Sequence, residues 1–192
     1  MKASRIMVPI AALLLMAALA LPGCGNAEAK SKVDEAVGLI ALTQPMLEDL
    51  IDLDQRLNAL GTRFTNVEDT IAEGKSLVEM ALLELDELEA DYARASAILR
   101  EVEEMDGAGD YAEYARLALS ALEAEAEAMA VNRLLLTSVW DMLDVLPLAE
   151  SQEQLSYYVE EIDRLTGEVT DLLQQGAAAA AEADRYYKEK GL

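Results

Sequence analysis

A repeat of apolar residues every three or four positions runs through most of this chain, and it restricts the fold more than any other feature. From Val67 the series continues through Ile71, Gly74, Val78, Ala81, Leu85, Leu88, Tyr92, Ala95, Leu99 and Val102. A second series runs Tyr111, Ala115, Ala118, Leu122, Glu125, Met129, Asn132, Leu136, Val139, Leu143 and Leu146, and a third runs Leu155, Tyr158, Ile162, Leu165, Val169, Leu172, Gly176, Ala179, Ala183 and Tyr186. Alternation with a period of 3.5 places these residues on one stripe of an α-helix, and such a stripe needs partner helices to cover it. Apolar residues beside the stripe, such as Leu135 and Met142, widen it, which favours four helices over a bare two-stranded coil. The expected fold is all-α, an antiparallel four-helix up-down bundle with coiled-coil-like heptad packing.

Punctuation residues divide the pattern. The first helix is expected over 32–60, with Pro45 kinking or restarting it because proline lacks the N–H of a helix interior. Gly61 ends it, and Thr65-x-x-Glu68 reads as a capping box for a helix running to about Met105. Asp106-Gly107-Ala108-Gly109 is the clearest turn. Asp110 is a good N-cap for a third helix ending before Pro147, and Ser151-x-x-Gln154 opens a fourth that runs to about Lys190. One alternative competes with the turn at 61–63. The stripe continues backwards in register through Met46, Leu50, Leu53, Leu57 and Leu60. One helix from Met46 to Met105 would be about 90 Å long at about 1.5 Å per residue. A turn is preferred because it gives four helices of similar length.

The N-terminus reads differently from the rest. Lys2 and Arg5 precede an uncharged run, Ile6 to Leu21, which is too short for a spanning helix and suits a signal peptide. It ends in Leu21-Pro22-Gly23-Cys24, and Cys24 is the only cysteine. This resembles the lipobox of bacterial lipoproteins. The resemblance covers the export segment alone, and Pro22 is a less usual residue at its position. It implies cleavage of residues 1–23, acylation of Cys24, a short polar tether over 24–31, and a bundle domain over 32–192. It also implies a membrane contact through the N-terminal lipid, on the cell membrane or the outer membrane. The mature domain resembles no specific family.

Charge and composition exclude several function classes. The chain carries a net charge of −22, and removal of Lys2 and Arg5 with the signal segment makes it −24. Such a surface repels nucleic acid and anionic headgroups, whose binding needs cationic contacts. With no histidine, and with its one thiol marked for lipid, the chain offers no zinc site of the usual kinds and no disulfide. No metal or cofactor is expected, nor is an enzyme: no activated nucleophile or phosphate loop stands out among the residues. The acids around the 106–110 turn do not match the calcium-loop spacing.

Two sets of residues remain as candidates. Glu125 and Asn132 interrupt the apolar stripe of the third helix, so they either line a polar pocket or specify register. Trp140, Tyr157 and Phe64 fall near one end of the bundle, where they either plug it or form a partner-binding patch. The leading expectation is an interaction or structural envelope component, bound to an envelope protein or to a second copy. The alternative is a ligand-binding or sensory bundle working through a membrane partner, similar in architecture to the extracytoplasmic four-helix sensor domains of chemoreceptors. A cavity lined by Glu125, Asn132 and tyrosines would favour the alternative. A murein-lipoprotein-like spacer is loosely similar too, but the chain ends in Gly191-Leu192 and lacks the terminal lysine used for wall linkage.

Overall fold

A computed structural model describes residues 27–60, 66–148 and 153–192. Its helices are α1 (Ala27–Leu42), α2 (Gln44–Leu60), α3 (Val67–Glu103), α4 (Asp110–Val145) and α5 (Glu153–Lys190), with a 3-10 turn at Leu146–Leu148. There is no strand among the described residues. The molecule is an all-α bundle in which α1 and α2 together form the first of four rods.

The break in that rod has a local cause. Pro45 cannot donate a backbone hydrogen bond, and it disfavours helical geometry at the residue before it. The chain answers with a tight turn. The Thr43 N–H donates to the Ile40 carbonyl at 3.1 Å and the Thr43 hydroxyl donates to the same oxygen at 2.7 Å. The Leu47 N–H then takes the Thr43 carbonyl at 3.1 Å. Thr43 is buried in the interior.

The first rod also begins earlier than the sequence suggested. Residues 27–31 are helical, and Ala29 is packed into the core with Val33 and Ala36. Burial of this small apolar face overrides the polar composition that pointed to a tether.

The chain reverses between Leu60 and Asn66. Lys32 of α1 pairs with Glu101 of α3 at 2.6 Å, and the Leu60 side chain packs over Gly74. This antiparallel contact excludes the single long helix from Met46 to Met105. The proposed turn residues 61–63 lie outside the described residues.

Two caps differ from expectation. Asn66, not Thr65, caps α3: its side chain accepts from the Glu68 N–H and its amide donates to Asp69 at 3.0 Å. Gly109 precedes α4 with φ 57°, and Asp110 is the first helical residue. The Asp110 carboxylate instead accepts from the Tyr186 hydroxyl and pairs with Lys190, both at 2.9 Å. A tertiary partner on α5 has taken the side chain that local rules assign to the cap. The 149–152 connection, with Ser151 of the last capping box, lies outside the described residues.

Around the bundle the order is α1/α2, α3, α4, α5. The α5 backbone packs chiefly along α4 and approaches α1, α2 and α3 far less. The core divides accordingly. One cluster joins α1, α2, α3 and α4 along the whole length, and the C-terminal end of α5 joins it through Ala183, Tyr186 and Tyr187. A second, smaller cluster of Val131, Leu135, Leu165 and Val169 belongs to α4 and α5 alone. Small residues let these two helices approach: Ala115, Ala118, Ala121 and Ala183 are buried, and a Cβ added to Gly176 would lie 3.5 Å from the Ala121 carbonyl oxygen.

Candidate functional site, a buried polar layer at mid-bundle

Antiparallel pairing brings four positions to one level, near the middle of the rods. The break in the first rod supplies Thr43. The α3 seam supplies Tyr92, the α4 seam Glu125, and α5 supplies Gly176, whose missing side chain makes room for Glu125. A Cβ there would meet Glu125 Cγ at 2.9 Å and Oε1 at 3.6 Å.

Glu125 is 6% exposed. Burial pushes its carboxyl up to about 7, and the Tyr92 hydroxyl pulls it back in part. Tyr92 is 2% exposed. Its phenol is raised well above the ordinary value, first by burial and then by the Glu125 charge. The hydroxyl lies close enough to the Glu125 carboxyl and the Thr43 hydroxyl for each to act on it, though neither contact reaches full hydrogen-bond geometry. It is the buried side-chain polar atom left without a partner among the described residues.

Beside this layer is a cavity of about 30 Å³, above the roughly 10–15 Å³ that a single water needs. It is partly open to solvent. Leu47 and Leu50 of α2, Leu85, Leu88 and Tyr92 of α3, Glu125, Ala128, Met129 and Asn132 of α4, and Val169 and Leu173 of α5 line it. Two of its walls, α2 and α5, have little close backbone packing between them. The structure therefore brings Glu125 and Asn132 to one pocket, with Glu125 at the buried layer and Asn132 half-exposed two turns along the same helix.

The aromatic candidates are not brought together in the same way. Trp140 is half-buried, and Lys75 Nζ sits 5.0 Å from its ring centroid. Lys75 is also paired with Asp144. Tyr157 is 67% exposed, and its ring contact is with Tyr158, edge-on at 5.4 Å. Among the described residues no ring contact joins Trp140 to Tyr157. Phe64 and Cys24 lie outside the described residues, as does the signal segment. No described helix is long and apolar enough to cross a membrane.

The acids near the 106–109 turn are engaged within the chain. Asp110 holds Tyr186 and Lys190, and Glu113 pairs with Arg116 at 2.6 Å. Among the described residues no group of three or more acidic, histidine or cysteine side chains is placed to hold a metal ion.

Sequence reasoning named Glu125 and Asn132 and missed Thr43, Tyr92 and Gly176. Tyr92 reads as an apolar residue of the seam, and Thr43 lies beside the Pro45 break with no mark of its own. The signal that could have found them is a level count: once α3 and α4 pair about the 106–109 turn, Tyr92 and Glu125 fall close together. Comparison of the chain with known families, with curated proteins and with solved structures finds no match, so geometry alone carries the functional argument.

Proposed function

We propose that this chain is a lipid-anchored, extracytoplasmic helical bundle that serves as an interaction or structural component of the cell envelope. The lipobox-like Leu21-Pro22-Gly23-Cys24 supports the anchor. One observation carries the interaction reading. Among the described residues, Val67, Met80, Leu83, Leu134, Leu148, Tyr157 and Val159 are the exposed large apolar side chains besides Leu42, and all seven lie in the half of the bundle remote from Ala27. An anchor at Cys24 holds the other half near the lipid, so these residues face outward to a partner protein or a second copy. An excess of exposed apolar and aromatic side chains toward one end makes that end the candidate interaction surface.

The test is site-specific photo-crosslinking in intact membranes. A probe at Tyr157 should yield a defined adduct with an envelope protein or a second copy, and a probe at Glu182 near the other end should not. Adducts from Glu182 alone, or from neither position, would overturn the reading. Cys24→Ser should leave the chain unprocessed and without acyl chains, read by intact mass as retention of residues 1–23.

A second reading has an observation of its own. The cavity with Glu125, Asn132 and Tyr92 on its walls favours a ligand-binding or sensory bundle that acts through a membrane partner.

A further inference from the structure

We propose that the Glu125 side chain is a proton-operated latch between α4 and α5: protonated, it holds the middle of α5 against the bundle, and ionised, it lets that stretch lift away.

The geometry of the crossing carries this. Glu125 lies under Gly176, where an added Cβ would meet its Cγ at 2.9 Å and its Oε1 at 3.6 Å. The carboxyl is therefore roofed by the α5 backbone, and it is buried. A buried carboxylate needs a cation or several good donors. No cationic side chain is among the groups that act on Glu125, and the Tyr92 hydroxyl approaches it without full hydrogen-bond geometry. The neutral acid suits this layer and the ion does not.

The ion is relieved by water, and α5 is the wall that yields. The other four helices share one continuous cluster of large apolar side chains. By contrast, between Val169 and Ala183 the one buried residue of α5 is Gly176, and five consecutive alanines, 177–181, follow it. Alanine buries little apolar area, so lifting this stretch forfeits little. Local opening of a weakly held segment costs a fraction of global unfolding.

Glu125 is the group of this layer that titrates near neutrality. Tyr92 faces it from α3, with a phenol raised well above the ordinary value, so it stays neutral. The α1–α2 break presents Thr43, α2 presents Leu47 and Leu50, α5 presents Gly176, and the adjoining turns of α4 present Ala121, Ala128 and Met129. None of these titrates. The closed form holds the Glu125 proton up to about 7, and the open form releases it near the ordinary 4.5. Opening is therefore constant below the lower value and rises about tenfold per pH unit between the two. It levels off above about 7, at about 300-fold. The α4–α5 seam closes in acid and loosens on the alkaline side of neutrality.

The test is hydrogen exchange read by mass spectrometry on the full-length chain in detergent, from pH 4.5 to 8, with rates corrected for the intrinsic pH dependence of amide exchange. Wild type is compared with Glu125→Gln, which keeps the side-chain size and cannot ionise. Glu125→Met serves the same purpose if the amide is poorly housed. Relative to the variant, the amides of residues 169–180 in wild type should open about tenfold more per pH unit up to about 7, reaching about 300-fold. Low concentrations of urea should barely change these rates, which marks a local opening, whereas the amides of α3 from Leu85 to Leu99 should respond steeply. The same pH dependence in wild type and variant would place the titration elsewhere and overturn the latch. A wild-type pH dependence that reaches residues 169–180 only with the urea slope of α3 would show that Glu125 ionises through global unfolding alone, and would overturn it as well.

Discussion

Glu125 is a carboxyl held in the interior without a cation, and the consequence is a stability that depends on pH. The folded chain holds this proton up to about 7, whereas the unfolded chain releases it near the ordinary value of 4.5. Between those values the native state binds more protons than the unfolded state, so stability falls as pH rises through the window and levels off above about 7. At about 1.4 kcal/mol per unit the change is of order 3 kcal/mol. Loss of surface repulsion on acidification acts in the same direction, so Glu125→Gln is the reference that isolates it. Denaturant melts from pH 4.5 to 8 should show wild type losing about 3 kcal/mol relative to that variant. Parallel curves would mean that Glu125 is solvated. At the neighbouring position, Tyr92→Phe removes a hydroxyl with no partner. An unpaired buried hydroxyl costs about 1–3 kcal/mol, so below about pH 7, where Glu125 is neutral, this truncation should leave the melting temperature level or raise it. A clear drop would reveal a hydrogen bond that the geometry denies.

Between elements, the α4–α5 crossing couples two residues. Gly176 weakens a helix by about 1 kcal/mol relative to alanine. It is tolerated because an alanine methyl would stand 2.9 Å from Glu125 Cγ, the middle of a packed side chain. Gly176→Ala alone should therefore destabilise by about 1–2 kcal/mol. In a Glu125→Ala background the same change should stabilise by up to about 1 kcal/mol, giving a coupling above about 1 kcal/mol in the double-mutant cycle. Additive effects would show that the two side chains do not meet. The heptads made α3, α4 and α5 legible, because the buried seam from Val78 to Val102 is the one that the spacing marks. Their levels were less legible. That Thr43, Tyr92, Glu125 and Gly176 share a layer depends on how two rods pair across their turns, and no single helix encodes it. The first helical turn and both altered caps were misread for a related reason. Ala29 and Asp110 are placed by partners on other helices, and local composition does not register those partners.

At the scale of the molecule, the division of the core determines where the bundle opens. Near the α1 N-terminus the end of α5 is held by Ala183, by the Tyr114–Tyr187 edge contact at 5.2 Å, and by Asp110 with Tyr186 and Lys190. Towards the other end α5 is held by Ile162, Leu165 and Val169, of which Leu165 and Val169 form a small cluster with α4. Segments with little buried apolar contact open locally at a fraction of the global free energy. Native-state hydrogen exchange should therefore find the amides of α5 from about residue 157 to 168 exchanging well before those of α3 from Leu85 to Leu99, and before the last turns of α5 itself. That gradient runs opposite to the usual fraying of a chain terminus, so it separates this architecture from a uniformly closed bundle, in which the C-terminal turns would exchange first. The same opening widens the space between α2 and α5, so whatever enters the cavity or docks on the exposed apolar side chains of that half acts on the least stable part of the fold. A guest in the cavity should then slow exchange in the middle of α5, around Val169 to Gly176, more than anywhere in α1. Uniform protection along α5 would show that this helix is held along its whole length.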